Sequence, residues 1–201
     1  MVRRDVKQFF LYVFLLAFCG SCTLKVGPET LVAAKAKKHE ICRVAVLPFV
    51  NETRKPEGSM LAYRIFLNEL IASGLYEVEG EGEVRLFLAR NKLLPRDLLD
   101  ASLYADFARQ LQVDAVIKGK VTEMDMKEIR GGGAVPYLAL QVEMVEARTG
   151  RTVLNTYHRR RGDHYRTAMH FGMVRTISGL VARASQEIFD DWRRKGIGGC
   201  R

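Results

Sequence analysis

The cysteines are the residues of this chain whose spacing suggests specific chemistry. Cys19 and Cys22 stand close together in the stretch FLLAFCGSCTLKVG, whereas Cys42 and Cys200 lie far apart along the chain. A thiol can be acylated, oxidised to a disulfide or bound to a metal ion, and its surroundings decide between these outcomes.

The first cysteine pair follows a segment typical of export. Arg3, Arg4 and Lys7 precede an uninterrupted apolar run of about ten residues at positions 9–18. A helix needs roughly 20 apolar residues to cross a bilayer, so this run is too short. A basic start, a short apolar middle and small residues at the end describe a signal peptide. The sequence therefore predicts an export signal over residues 1–21.

The end of this segment resembles the signal of bacterial lipoproteins, in which a cysteine is acylated and becomes the first residue. Cys22 follows the small residues Gly20 and Ser21, whereas Cys19 follows the bulky Phe18. Cys22 is therefore the predicted lipidation site and Cys19 the alternative. The resemblance implies a covalent lipid and a membrane as partner. An ordinary signal peptide cut nearby, or an uncleaved anchor, is the other interpretation.

The rest of the chain has the size and composition of one domain. Without the signal, about 180 residues remain, and the whole chain is 48% hydrophobic and 27% charged, as expected for a globular protein. Apolar residues become dense only after position 41. We therefore predict a tether over residues 22–40, a domain over residues 41–194 and a flexible tail over residues 195–201.

The first half of the domain alternates strands and helices. RVAVLPFV is a continuous apolar run, typical of a strand covered on both faces. A helix with few polar positions, starting at Gly58 or Ser59 and ending near Ser73, is expected to be deeply packed. LYEVE predicts a second strand, and EVRLFLARN and ASLYADFARQLQ predict two short helices.

The second half is mainly strand. DAVIKGKVTEM and the alternating PYLALQVEMVE predict two strands, and the ARTGR turn leads into TVLNTYHRR as a hairpin partner. An apolar stripe over residues 173–192 predicts a terminal helix. The fold class is α/β, with a single mixed sheet of about five strands covered by helices, in the order β-α-β-α-α-β-β-β-α.

Several of these segments together resemble one family. VAVLPFVNET, NELIASGLYEVE, LQVDAVIKGKVTE and EARTGR occur in the order seen in bacterial envelope lipoproteins of the CsgG and LpoB type, whose domain is similar to the amino-terminal domain of TolB. The resemblance covers roughly residues 43–157. It implies a non-catalytic domain that works by protein contact. The loops here are too short for the membrane-inserting hairpins of a CsgG-like pore.

No sequence pattern predicts an enzyme, a cofactor site or a metal site. The motifs GxxxxGK[ST], GxSxG and HExxH are absent. GGG at Gly131 to Gly133 lies between two predicted strands and favours a flexible connection. His158, His164 and His170 recur every six residues, which would place neighbours on different faces of a helix. We therefore expect no enzymatic activity, no metal and no cofactor besides the covalent lipid.

The remaining thiols, Cys42 and Cys200, are not spaced for zinc. With Cys19 removed and Cys22 acylated, they are the two thiols left in the exported protein, which meets an oxidising compartment. One hypothesis is a disulfide that ties the first strand of the domain to the tail. The alternative is a buried Cys42 and a separate tail.

Positive charge is concentrated in the last quarter of the chain. The net charge is +9, and HRRRGDHYR contributes Arg159, Arg160, Arg161 and Arg166. In a cytosolic protein such a patch suggests nucleic acid, but the export signal argues against that partner. Lipid headgroups, a phosphorylated glycolipid or an acidic protein surface are the predicted counterparts of this contact patch. A solvated basic surface is the alternative.

Two functional hypotheses follow from these observations. The first is a lipid-anchored periplasmic adaptor or assembly factor that binds another cell-envelope component. The second is a homo-oligomeric subunit of an envelope secretion or cell-wall synthesis apparatus. In both, Thr23 after Cys22, in place of the aspartate typical of inner-membrane retention, favours an outer-membrane location facing the periplasm.

Overall fold

A computed structural model describes residues 27–34, 41–94, 97, 99–129, 133–167 and 171–199. The described strands are β1 (Glu29–Val32), β2 (Arg43–Val46), β3 (Val50–Asn51), β4 (Glu77–Val78), β5 (Ala115–Glu128), β6 (Ala134–Glu146) and β7 (Thr152–Arg161). The described α-helices are α1 (Gly58–Ser73), α2 (Glu81–Arg90), α3 (Ala101–Gln110) and α4 (Ile177–Arg194), and a short 3-10 helix covers Gly162–Tyr165.

All seven strands belong to one mixed sheet, in the spatial order β1-β7-β6-β5-β2-β4. β1, β7, β6 and β5 pair antiparallel, whereas β2 is parallel to both β5 and β4. β3 pairs with β5 further along and extends the line of β2. The two pieces are separated at Pro48, because proline has no N–H to donate to the ladder.

The mixed α/β sheet is confirmed, but the strand count and the order of the elements differ from the prediction. The sheet has seven strands instead of about five, because β1 and β3 were not expected. β1 lies within the predicted tether. It belongs to the sheet because the hydroxyls of Thr30 and Thr156 lie 2.8 Å apart and Lys195 donates to the Thr30 carbonyl at 2.9 Å.

One face of the sheet is covered by α1 and α4. The aromatic rings of Phe66, Phe189 and Trp192 pack edge to face between these helices and the sheet. The buried Trp192 donates its indole N–H to the Thr156 hydroxyl at 2.9 Å. This larger core holds the domain together and fixes α4 on β7.

The other face is covered only at one end. α2 and α3 pack there through Phe87 and Phe107, whose ring centres are 4.0 Å apart, against Val116 and Val145 of the sheet. Beyond this smaller core, the same face of β5, β6 and β7 has no helix over it among the described elements. Its polar side chains form the surface considered below.

The end of the described chain differs from the predicted flexible tail. Ile197 is fully buried in the larger core, and its carbonyl accepts a hydrogen bond of 3.3 Å from the Tyr76 hydroxyl. Gly198 has φ +97, and a Cβ there would lie 2.5 Å from the Tyr76 hydroxyl oxygen. Apolar burial of Ile197 and this close contact therefore fix residues that looked like a polar, glycine-rich end.

Candidate functional site

The pleat of β7 divides the predicted basic patch between two faces. Side chains on a strand alternate between faces. Arg159 and Arg161 therefore lie on the uncovered face, while Arg160 points towards α4. The structure thus brings two of the four predicted arginines together and separates the third from them.

Arg160 makes a partly buried ion pair. Its guanidinium binds both oxygens of Glu187 on α4, at 2.7 and 2.8 Å, and its side chain is only 14% exposed. His158 Nε2 lies 2.6 Å from the same carboxylate. Burial opposes ionisation of Glu187, but the hydrogen bonds with His158 and Arg160 outweigh it and hold the pKa of Glu187 below its usual value. Arg160 therefore fixes α4 on the sheet.

Arg159 instead lies over an aromatic ring on the uncovered face. Its guanidinium carbon is 4.9 Å from the centre of the Tyr137 ring, and the Lys127 ammonium is 3.9 Å from that centre. Three adjacent strands thus supply a Lys-Tyr-Arg stack with cation–π geometry. The nearest carboxylate to Arg159, that of Glu123, is 3.9 Å away.

Tyr137 is nearly enclosed by this stack. The residue is 3% exposed, and its hydroxyl is buried with no hydrogen-bond partner among the described residues. Burial raises the pKa of Tyr137 to about 12, and the nearby Glu123 carboxylate adds to that effect. Tyr137 therefore stays protonated at neutral pH.

These residues line a groove of about 430 Å³. We call it the basic groove; its walls include Lys127, Tyr137, Tyr157, Arg159, Arg161 and His164. Gly27 and Glu29, at the start of β1, close one side. The Arg161 guanidinium binds Asp163 at 3.0 and 2.6 Å. Desolvation by its surroundings lowers the pKa of His164.

Arg166 does not line the basic groove. It follows the 3-10 helix, is exposed, and its backbone N–H donates to the Asp163 carbonyl at 3.2 Å. Lys127 and Tyr137 are groove residues that the sequence did not single out. Only the register of β5, β6 and β7 brings them together.

A second polar cavity of about 300 Å³ lies along the same face, towards the smaller core. Here the charges are matched: Lys118 pairs with Glu143 at 3.1 Å and Lys120 with Glu52 at 3.3 Å. The excess of positive charge is thus confined to the end of the face at which β1 begins.

The outer side of α1 exposes three large apolar side chains, together with the polar Arg64 and Asn68. Phe66, Leu67 and Leu70 are buried in the larger core, but Ile71 is 57% exposed, and Met60 and Leu61 are exposed on the same helix. The prediction of a deeply packed helix is therefore correct for one side only. In the sequence, Arg64 and Asn68, four positions apart, mark the exposed side, but the apolar residues beside them obscure the division.

The predicted cysteine chemistry lies largely outside the described residues. Cys19, Cys22 and Cys200 are not described, and neither is the predicted signal over residues 1–21. Cys42 is disulfide-bonded. Its carbonyl accepts the N–H of Glu77, the neighbour of the Tyr76 that contacts Ile197. Pairing of Cys42 with Cys200 stays a prediction.

The described part of the chain has neither a metal cluster nor a membrane-spanning helix. In it, no group of three or more histidine, cysteine, aspartate or glutamate side chains is arranged to hold a metal ion. Among the same residues, no helix combines the length and the apolar character needed to cross a membrane.

No protein-family model and no curated protein matches the chain, but solved structures do. PelC from Paraburkholderia phytofirmans, solved as a dodecamer, is 18% identical, with a TM-score of 0.54 over 86% of this chain and 98% of PelC. Lipoprotein GNA1162 from Neisseria meningitidis is 18% identical, with a TM-score of 0.50 over 76% of this chain and 99% of that protein. The chain shares the fold of these two proteins.

The LpoB carboxy-terminal domain from Salmonella enterica also matches. It is 18% identical, with a TM-score of 0.41 over 59% of this chain and 82% of that domain. That score is too low to support a structural argument. The CsgG and LpoB resemblance therefore still depends on the sequence motifs.

Those motifs have identifiable structural roles. In the VDA segment, one Asp114 oxygen accepts the backbone N–H groups of Cys42 and Arg43, both at 2.9 Å, and so fixes the start of β2 against β5. In the NET segment, the Asn51 side chain accepts from the Thr53 N–H at 2.9 Å and donates to the Lys55 carbonyl at 2.7 Å. These residues build the fold.

Proposed function

We propose that this protein is a non-catalytic, lipid-anchored protein of the bacterial cell envelope that binds another envelope component. In this account, the lipid on Cys22 holds the chain at the outer membrane, and the domain faces the periplasm. The lipobox-like sequence supports the anchor. The fold shared with a lipoprotein, GNA1162, is consistent with it.

The observation that carries the proposal is the set of exposed apolar side chains on the outer side of α1, interspersed with Arg64 and Asn68. Ile71, Met60 and Leu61 expose apolar surface on one helix of an otherwise well-packed domain. Covering such surface is favourable by roughly 25 cal/mol per Å², and exposed apolar patches mark sites of protein contact. A second protein surface on α1 is the simplest way to cover it.

This contact surface is tested by replacing Ile71 with lysine. Ile71→Lys places a charge in the proposed contact, and because Ile71 is exposed and lysine is a good helix former, the fold should survive. Leu94→Lys is the matched control, since Leu94 is also exposed but lies outside α1. The full chain is extracted in mild detergent, and its complexes are weighed by native mass spectrometry.

The adaptor hypothesis predicts one or two copies of the chain together with a second component. Ile71→Lys should remove that component, and Leu94→Lys should retain it. Recovery of the chain alone, or complexes whose composition is unchanged by Ile71→Lys, would count against contact through α1.

The second candidate is a ring of identical subunits. It is favoured by one observation, the dodecameric assembly of PelC, which shares the fold. The same experiment separates the two: a ring gives a large multiple of the chain mass with no second component. Ile71→Lys would then release single chains.

A further inference from the structure

The basic groove is lined by Gly27, the described residue that follows the predicted lipid anchor most closely in the sequence. We propose that it binds the phosphate groups of anionic lipid headgroups in the membrane that holds the anchor, and thereby fixes how the domain sits on that membrane. The inference rests on the lipid anchor of the proposed function, but it assigns a separate site.

The length of chain between anchor and groove limits where the groove can be. Gly27, which lines the groove, is five residues beyond Cys22. Even a fully extended chain spans at most about 3.6 Å per residue, so Gly27 lies within roughly 18 Å of the acylated cysteine. The groove is therefore held near the headgroup layer.

The groove offers the donors that a phosphate group needs. Lys127 has no ion-pair partner among the described residues, and the side chain of Arg159 is 55% exposed with its nearest carboxylate at 3.9 Å. Arg161 is already bound to Asp163. Lys127 is thus unpaired among the described residues, and Arg159, held only by the long contact with Glu123, can turn towards a bound phosphate.

The charges and apolar groups around the groove suit a membrane surface. Glu29 is the one carboxylate among its described lining residues, against three cationic side chains. Tyr157 in the groove and Met126 on β5 are partly exposed, and Phe171, on the loop beyond His164, is 73% exposed. Aromatic side chains beside basic residues are typical of proteins at the membrane–water interface.

The second polar cavity provides a contrast within the same molecule. Its lysines are paired with Glu143 and Glu52, so it has little excess charge to attract an anion. Because each Lys or Arg near an anionic surface contributes about 1 kcal/mol, removal of Lys127 and Arg159 together should weaken headgroup binding about 30-fold.

The test measures how fast Lys127 reacts with a water-soluble amine reagent. The full chain, purified from membranes, is reconstituted in vesicles of phosphatidylcholine alone or with phosphatidylglycerol added, and each lysine is followed by mass spectrometry. We expect the anionic lipid to slow modification of Lys127 several-fold, and high salt to reverse the effect. Lys92, exposed on another part of the domain, should react at the same rate in both vesicles.

Two variants sharpen the result. Arg159→Ala should reduce the protection of Lys127, whereas Arg151→Ala, which removes a positive charge at the opposite end of the β6–β7 hairpin, should not. A third sample, the chain in detergent with inorganic phosphate, separates a membrane from free phosphate. Equal protection by free phosphate would contradict a headgroup site.

The same mass spectra distinguish the absence of headgroup binding in the groove from the absence of a lipid on Cys22. If the amino-terminal peptide is acylated but Lys127 reacts equally fast in neutral and anionic vesicles, the headgroup site alone is overturned. An unmodified amino-terminal peptide would overturn the anchor, and the headgroup site with it.

Discussion

Gly119 of β5 lies directly against the ring of Phe49. A Cβ on residue 119 would be 2.3 Å from Phe49 Cε1, far inside van der Waals contact. The ring itself packs against Tyr63 and Phe66 of α1, with ring centres 5.9 and 5.1 Å away. Two segments that are distant in sequence, LPF and VDAVIKG, therefore meet at one contact in the larger core.

Replacing Gly119 should destabilise the protein. Gly119→Ala forces the Phe49 ring out of its position, and overpacking of this kind costs about 1–3 kcal/mol. Chemical denaturation of both proteins measures the difference. Gly82→Ala is the control, because Gly82 lies in α2 with nothing within 4 Å of its added Cβ; it should be neutral or stabilising by up to about 1 kcal/mol.

Removal of the Asp114 carboxylate should also weaken the fold. Asp114→Ala leaves the N–H groups of Cys42 and Arg43 without their acceptor. Hydrogen bonds to charged groups contribute about 1.5–3 kcal/mol each, so we expect a loss of about 3 kcal/mol in unfolding free energy. The comparison is Asp106→Ala, which removes a surface ion pair with Arg109 and should cost less than about 1 kcal/mol. Similar losses in both would contradict a special role for Asp114.

Glu187 should make stability depend on pH in the acid range. Its pKa is lower in the folded protein than its usual value, so the unfolded chain binds more protons there. The stabilisation is complete above the unfolded pKa and is lost as the pH falls through the folded pKa. Urea unfolding should show Glu187→Gln to be less stable than the natural protein at pH 7, with a difference that shrinks under acid conditions. A constant difference at every pH would contradict this assignment.

The disulfide of Cys42 is predicted to join Cys200. Because such a bond closes a long loop and the preceding Ile197 is anchored in the core, Cys200→Ser should lower the stability by about 2–4 kcal/mol. Peptide mapping of unreduced protein identifies the partner directly. Two free thiols in that protein, or a cross-link between Cys42 and another cysteine, would show this pairing to be wrong.

The sequence predicts the long elements well because their patterns are local. Leu180, Val181 and Ile188 recur at helical spacing and lie buried on α4, and the alternation in PYLALQVEMVE matches β6. β1 has only four residues. It is a strand because Thr30 meets Thr156 on β7, more than a hundred positions away, and no local pattern shows such a contact.

The basic groove could not be predicted from the sequence either, because its residues are distant from one another along the chain. Tyr137, Lys127 and Arg159 stand on three strands, and their stacking depends on the register of those strands. The separation of Arg160 from Arg159 did have a local signal, the period-two alternation of β7. The two faces of β7 could not be told apart by polarity, because the inward side chains Thr156, His158 and Arg160 are polar, with partners on α4.

The lipid anchor on Cys22 is tested most directly by the mass of the amino-terminal peptide of the membrane-bound protein. We predict a peptide that begins at Cys22 and has the added mass of two or three acyl chains. An unmodified terminus, or a peptide that begins at Met1, would contradict a lipid-anchored envelope protein.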